Sequence, residues 1–263
     1  MSSSSGRLLV DEPAPGVARL TISNPAKRGA LDRTILDVLA RTLPELEARC
    51  VILTGEGSVF SAGYDVANLD EDRVSARAEE LVANPFDSAL QALDEHPWPI
   101  VAALNGHAIG GGLELALACD LRLAAEPAMF RMPPARLGLV YSHTGVRRFL
   151  DAIGGPRTRE LFLTAGRIDS ATALAWGLVN RVVPGDQLTG ASVALAGEIA
   201  AGAPLAQRGN RRVIAALLDG RSTLTDAVER ELLALRAASL SSDDFREGVR
   251  AFAEKRSPEW TAR

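Results

Sequence analysis

Asn105-Gly106-His107-Ala108-Ile109-Gly110-Gly111-Gly112-Leu113-Glu114 runs without a break into the apolar segment Leu115–Cys119. Before it stands Ile100–Leu104, a short apolar run that reads as a buried strand, and Gly112–Cys119 reads as a helix. A strand-to-helix junction leaves the first helical N–H groups without intrahelical acceptors, so they can bind developing negative charge. Glycines at that junction let a ligand approach the backbone, because no Cβ stands in the way. Glu114 lies one turn further on, where a carboxylate can exchange protons with whatever those amides hold. An oxyanion site with a base one turn away is suited to carbonyl chemistry.

A second glycine turn complements the first. Val59-Phe60-Ser61-Ala62-Gly63-Tyr64-Asp65-Val66 follows the strand-like Val51–Thr54 and the loop Gly55–Gly57. Phe60 would anchor the turn in the core, while Ala62 and Gly63 keep the path narrow. The N–H of Tyr64 then becomes a candidate donor opposite the N–H of Gly111. Two amides converging on one oxygen stabilise an enolate, and losing one such donor typically costs roughly 3–4 kcal/mol of barrier. Either turn alone reads as an ordinary tight turn; the pair carries the argument.

Outward from these turns, strand and helix patterns alternate. Val17–Ile22 reads as a strand ending at Asn24-Pro25, and Leu31–Arg49 as a helix that Pro44 ends or kinks. Arg73–Leu93 has helical spacing interrupted at Asn84-Pro85, and Leu121–Ala124 and Val179–Val183 read as strands. Recurrent β-then-α order predicts parallel strands joined by crossover helices, an α/β fold. From about Gln187 the pattern is helical: Leu188–Ala201, Ala203–Leu218, Thr223–Ser239 and Asp243–Lys255, with a hinge at Gly202–Pro204. This divides the chain into a core over residues 1–200 and a helical region over 201–263.

Composition narrows the function classes. The 263 residues are 47% hydrophobic and 24% charged, enough for a sizeable core. A formal net charge of -4 argues against a general nucleic-acid binder, so basic residues must act locally on any anionic ligand. Cys50 and Cys119 sit in apolar runs without metal-ligand spacing and read as small buried side chains; no metal is expected. Met1–Gly6 is polar and no apolar stretch follows it, so no secretory signal is expected. Ile100–Ala125 is broken by Asn105, His107, Glu114, Asp120 and Arg122, which predicts no membrane span and a cytoplasmic protein.

Taken together, the two turns resemble the signature segments of the crotonase superfamily, which includes the enoyl-CoA hydratases. Cys119-Asp120 with Phe130-Arg131-Met132-Pro133, then Leu137-Gly138-Leu139, resembles the next block of that family. Gly166-Arg167-Ile168, Ala175-Trp176-Gly177-Leu178-Val179 and Phe252 through Pro258 extend the likeness to nearly the whole chain. The resemblance implies a spiral of ββα units, a C-terminal helical trimerisation region in a homotrimer or hexamer, and a CoA thioester as substrate. It implies no permanently bound cofactor.

By position, the resemblance gives Tyr64 and Gly111 the thioester oxygen and Glu114 the acid/base role. Ala62, Gly63, Asp65, Val66 and Gly110 would line the CoA path, and Pro134 and Leu137 would also touch the substrate. Lys27 and Arg28 would approach the nucleotide end, and Lys255 could reach a neighbouring subunit's CoA. The family's second hydratase glutamate should follow Phe130-Arg131-Met132-Pro133, yet that position is Pro134. Hydration divides its proton transfers between two carboxylates, so this loss weakens the hydratase expectation. Leu137-Gly138-Leu139-Val140-Tyr141-Ser142-His143-Thr144-Gly145 resembles the methylmalonyl-CoA decarboxylase branch, whose corresponding loop carries a tyrosine where Tyr141 stands. That branch has a histidine where this chain has Tyr64. A non-catalytic acyl-CoA binder is the alternative of a different class. Ser142, His143 and Asp151 lack the elbow motif of a nucleophilic triad.

Overall fold

The computed structural model describes residues 5–64, 85–219, 226–256 and 258–259. Strands come in consecutive pairs that step from one sheet to a second. β1 (Arg7–Ala14) and β2 (Val17–Ser23) begin the chain; β3 (Cys50–Gly55) is then followed by β4 (Val59–Ser61). β5 (Ile100–Leu104) leads to β6 (His107–Ile109), and β7 (Leu121–Ala125) to β8 (Met129–Arg131). With β9 (Arg167–Asp169) and β10 (Arg181–Val183) they form a six-stranded sheet, β1-β2-β3-β5-β7-β10, and a four-stranded sheet, β4-β6-β8-β9. Apart from the antiparallel β1–β2 and β8–β9 pairs, all pairings are parallel.

Helices close each unit. α1 (Arg33–Thr42) joins β2 to β3, α2 (Asp87–Glu95) precedes β5, α3 (Gly111–Leu117) follows β6 and α4 (Pro134–Leu137) follows β8. This is the ββα spiral that the resemblance implied. Next come α5 (His143–Thr164), broken at Gly154, and α6 (Ser170–Trp176). The remaining helices are α7 (Leu188–Ala200), α8 (Pro204–Asp219), α9 (Asp226–Leu240) and α10 (Asp243–Glu254).

The middle of the larger sheet is covered on both faces, which is why β5 is apolar and buried at every position rather than alternately. Val51 and Leu53 of β3 face the main core with Leu36, Leu39 and Leu93, whereas Cys50 and Ile52 face Leu188, Leu195 and Ala196 of α7. Burial pushes both thiols, Cys50 and Cys119, up to about 12, which leaves them neutral and unreactive at ordinary pH.

The step between sheets depends on Asn105. Its carboxamide accepts from Gly55 N–H at 3.0 Å and donates to the Gly57 carbonyl at 2.9 Å, tying the β5–β6 turn to the β3–β4 turn. Gly106 is obligatory there, because a Cβ would stand 1.9 Å from the Ser58 carbonyl oxygen.

Several boundaries differ from the sequence reading. The expected helix over Leu31–Arg49 stops at Thr42, and Pro44 sits in a 3-10 turn, Leu43–Glu45. Asp32 sets its start by accepting from Ile35 N–H at 2.9 Å. The expected direct passage from Ile100–Leu104 into a helix contains an extra strand, β6, and the helix begins at Gly111 rather than Gly112. Residues 73–84 of the helix expected over Arg73–Leu93 lie outside the described residues; α2 covers it from Asp87 on and runs to Glu95. The strand expected over Val179–Val183 is shorter, starting at Arg181. β1 and the short strands of the second sheet were not anticipated. Gly202–Pro204 does form the bend, with the helical segments on either side turned by 105°. Among the described residues no single helix is long and apolar enough to cross a membrane.

Candidate active site

Two parallel strands of the second sheet, β4 and β6, end side by side and deliver the two glycine turns to one place. Gly63 has φ +88°, and a Cβ there would lie 2.6 Å from the Ile109 carbonyl oxygen and 3.4 Å from the Gly111 nitrogen. The two turns are therefore in contact through backbone, and only a glycine at 63 permits it. Gly110, φ +54°, closes β6 by donating to the Arg131 carbonyl at 3.0 Å. Its Cα faces Pro133, so the β8–α4 turn with buried Pro134 borders the same spot.

The segment after Asn24-Pro25 lines the other side. Ala62 N–H donates to the Arg28 carbonyl at 3.1 Å, and Leu31 N–H to the Gly63 carbonyl at 2.7 Å. Ser61 Oγ accepts from Gly63 N–H at 3.1 Å and donates to the Gly29 carbonyl at 2.8 Å, locking both strands of this loop pair. Arg28 is held in the left-handed region, φ 54°, with its side chain exposed, and Lys27 is half-buried. The backbone of this cationic loop thus adjoins Ala62 and Gly63. Asp65 and Val66 lie outside the described residues.

Helix α3 carries Glu114 into the interior, where the residue is 1% exposed. Gly112 allows the helix to seat against Ser61, whose Cβ would be 2.6 Å from a Cβ at 112. At the other end, the Arg122 guanidinium donates to the Cys119 carbonyl at 2.7 Å and the Leu178 carbonyl at 2.7 Å. A cation there complements the helix dipole and immobilises the element that holds Glu114.

Glu114 meets Tyr141, whose hydroxyl donates a short hydrogen bond to Oε2. Burial first, and the adjacent Glu114 charge second, push the Tyr141 phenol well above its ordinary pKa. Tyr141 is thus a proton-bearing donor throughout the physiological range. Gly145 makes room for the pair: a Cβ there would stand 2.6 Å from Tyr141 Cε1 and 2.8 Å from Glu114 Oε1. Ser142 Oγ accepts from Gly145 N–H at 3.1 Å as the N-cap of α5, which fixes the chain directly after Tyr141. One turn later Arg148 pairs with Asp94 at 3.0 and 2.6 Å, joining α5 to α2.

The remaining expected residues are more dispersed. Leu137 is half-buried at the end of α4, where α10 presses on it: a Cβ at Gly248 would lie 2.6 Å from the Leu137 carbonyl. Lys255 caps α10 in the left-handed region, exposed and two turns beyond that contact. Asp151 pairs with Arg147 at 2.8 Å and lies about 12 Å along α5 from His143, too far to orient that imidazole as a triad requires. The packing of Gly145 and of the Tyr64 ring had escaped the sequence reading. Gly145 carried one signal, its place three residues after a capping serine. Among the described residues no group of three or more histidine, cysteine or acidic side chains is placed to hold a metal ion.

Comparison with known proteins agrees with this geometry. The family model described as enoyl-CoA hydratase/isomerase matches residues 12–263. A carnitinyl-CoA dehydratase of Proteus mirabilis is 36% identical over 235 residues, covering 86% of this chain and 87% of the relative. A solved methylmalonyl-CoA decarboxylase, in complex with 2-nitronate-propionyl-CoA, superimposes with a TM-score of 0.88 at 29% identity, over 97% of this chain and 98% of that one. An enoyl-CoA hydratase/isomerase structure from Pseudoalteromonas atlantica gives a TM-score of 0.83 at 32% identity, over 97% of this chain and 99% of that one. With paired turns, buried carboxylate and spiral all in place, the chain belongs to the enoyl-CoA hydratase/isomerase family.

Proposed function

We propose that this protein forms and reprotonates the enolate of an acyl-CoA thioester, with Tyr64 N–H and Gly111 N–H on the thioester oxygen and Glu114 as the proton-exchanging group. The observation that carries this reading is the buried Glu114 held by Tyr141 beside the backbone contact of Gly63 with Gly111. A proton leaves the substrate α- or γ-carbon for Glu114 while the carbonyl oxygen gains charge, and the pair of amides offsets that charge. Tyr141 orients the carboxylate and supplies a donor, not a base, because its phenol holds its proton. The buried Pro134 brings no second carboxylate, so one-site proton transfer, as in double-bond migration, fits better than addition of water.

A second reading is favoured by Tyr141 itself and by the methylmalonyl-CoA decarboxylase likeness. Loss of CO2 from a malonyl-type thioester leaves the same enolate without any base. The C–C bonding pair becomes the enolate, and one proton returned to carbon completes the reaction. In either case CoA is part of the substrate, a homotrimer or hexamer is the proposed assembly, and the proposed location is the cytoplasm.

A panel of 2-enoyl-, 3-enoyl- and methylmalonyl-CoA, scored for hydration, isomerisation and CO2 release, tests these readings. α-Proton exchange of a saturated acyl-CoA in D2O is the common signature expected. Tight binding with neither exchange nor turnover would instead identify a non-catalytic acyl-CoA binder.

A further inference from the structure

Tyr64 entered the argument through its backbone N–H, yet its side chain holds the more unusual position. The ring lies flat over the start of α3: a Cβ on Gly111 would stand 2.8 Å from Cζ and 3.0 Å from both Cε1 and Cε2. Its edge meets Phe86, with centroids 4.9 Å apart and planes at 78°. Phe86 is buried, so it gives the ring a firm back wall. At the far end, the Tyr64 phenol lies close enough to Tyr141 to help hold that hydroxyl's proton in place.

The phenol is thus held between the glycine below it and the phenylalanine behind it, with Tyr141 nearby. Gly111 and Glu114 are three residues apart on a helix and share a face. The acyl chain of a thioester whose oxygen lies at Gly111 N–H and whose α-carbon is served by Glu114 must cross that face. The Tyr64 ring stands on it. Moving the ring aside would give up the Phe86 contact and its place beside Tyr141 together.

We infer that Tyr64 is a specificity-determining residue, its phenol ring walling the acyl pocket so that the enzyme takes short acyl groups and rejects long ones. This rests on the acyl-CoA reading given above. The ring excludes by volume, so Tyr64→Phe retains the wall, whereas Tyr64→Ala and Tyr64→Val remove it.

The test measures binding of saturated acetyl-, propionyl-, butyryl-, hexanoyl- and octanoyl-CoA by calorimetry, and kcat/KM on matching reactive thioesters. A methylene forced against a filled wall commonly costs a factor of about 10–200. The wild type is therefore expected to lose at least about tenfold in affinity between butyryl- and octanoyl-CoA. Tyr64→Phe should keep that ratio, while Tyr64→Ala and Tyr64→Val should level it or reverse it. An unchanged ratio in either smaller variant, each checked for native circular dichroism, overturns the inference and leaves the acyl-CoA reading standing. A wild type that favours octanoyl-CoA overturns it as well. Failure of the wild type to bind any of the thioesters instead removes the acyl-CoA reading, and this inference with it.

Discussion

The turns around Glu114 and the helix α8 use apolar and polar residues in opposite ways. At Glu114 a carboxylate is sealed inside, while Leu113, Leu115 and Ala116 around it are fully buried. On α8 a run of apolar residues faces out: Val213 is 57% exposed, Ile214 59% and Leu217 64%. A buried charge persists only where donors meet it, and a row of exposed aliphatic side chains on one helix face is expected where another surface covers it. The first region is complete within one chain. The second would need a further surface to cover it, and the homotrimer or hexamer proposed above would supply one.

This contrast breaks most sharply at the carboxylate. Glu114→Gln keeps the shape and an acceptor for Tyr141 but cannot take up a proton. Isomerisation or hydration should fall by about 10²–10⁴-fold in steady-state assays, whereas decarboxylation of a malonyl-type thioester should be largely spared. Equal loss of every activity would refute the division between the two readings.

Gly145→Ala probes the packing beneath the same pair. Its Cβ would press on both Tyr141 and Glu114, so kcat should drop by at least about tenfold with KM little changed. Thermal unfolding should report a cost of about 1–3 kcal/mol, the usual range for overpacking.

His96 offers a pH test between the core and α8. Burial, and then the nearby Arg211 charge, lower its pKa to about 4 from 6.5. Arg211 of α8 donates to the carbonyls of Leu93 at 2.8 Å, Asp94 at 2.9 Å and His96 at 2.7 Å, so the two elements meet there. The unfolded chain binds a proton at His96 between pH 6.5 and 4 and the folded chain does not. Stability should thus decline as pH falls through that window, by about 1–2 kcal/mol after allowing for solvent screening. His96→Leu should flatten that part of the urea-unfolding profile.

On the exposed helix the expected effect on the fold is smallest. Ile214→Glu should change monomer stability by less than about 0.5 kcal/mol, as surface substitutions do. Sedimentation velocity should nonetheless show smaller species. An assembly of unchanged size would mean that this face of α8 is not the one covered.

Much of this was legible in the residues themselves. Ile100–Leu104 matched its strand to the residue, because five consecutive apolar side chains suit a strand covered on both faces. The four C-terminal helices fell within a few residues of their observed ends, since capping and apolar spacing are local signals. Three-residue strands such as β6, β8 and β9 were not legible: too short for any period to register, they exist because a neighbouring strand offers its backbone. The same limit hid the Tyr64 ring and Gly145, whose roles arise only from what stands opposite them.

Local composition therefore determined which residue types were available: glycines where backbone must pass close to backbone, a carboxylate early in a helix, a proline where a second carboxylate would stand. Only the folded chain decided that β4 and β6 end together, that the Tyr141 hydroxyl turns toward Glu114 rather than solvent, and that Tyr64 lies on Gly111. Side-chain periodicity and turn chemistry act over a few residues, whereas these contacts join positions 27 to 47 residues apart. They form because both sheets bury their apolar faces at once, and that burial is a property of the whole chain.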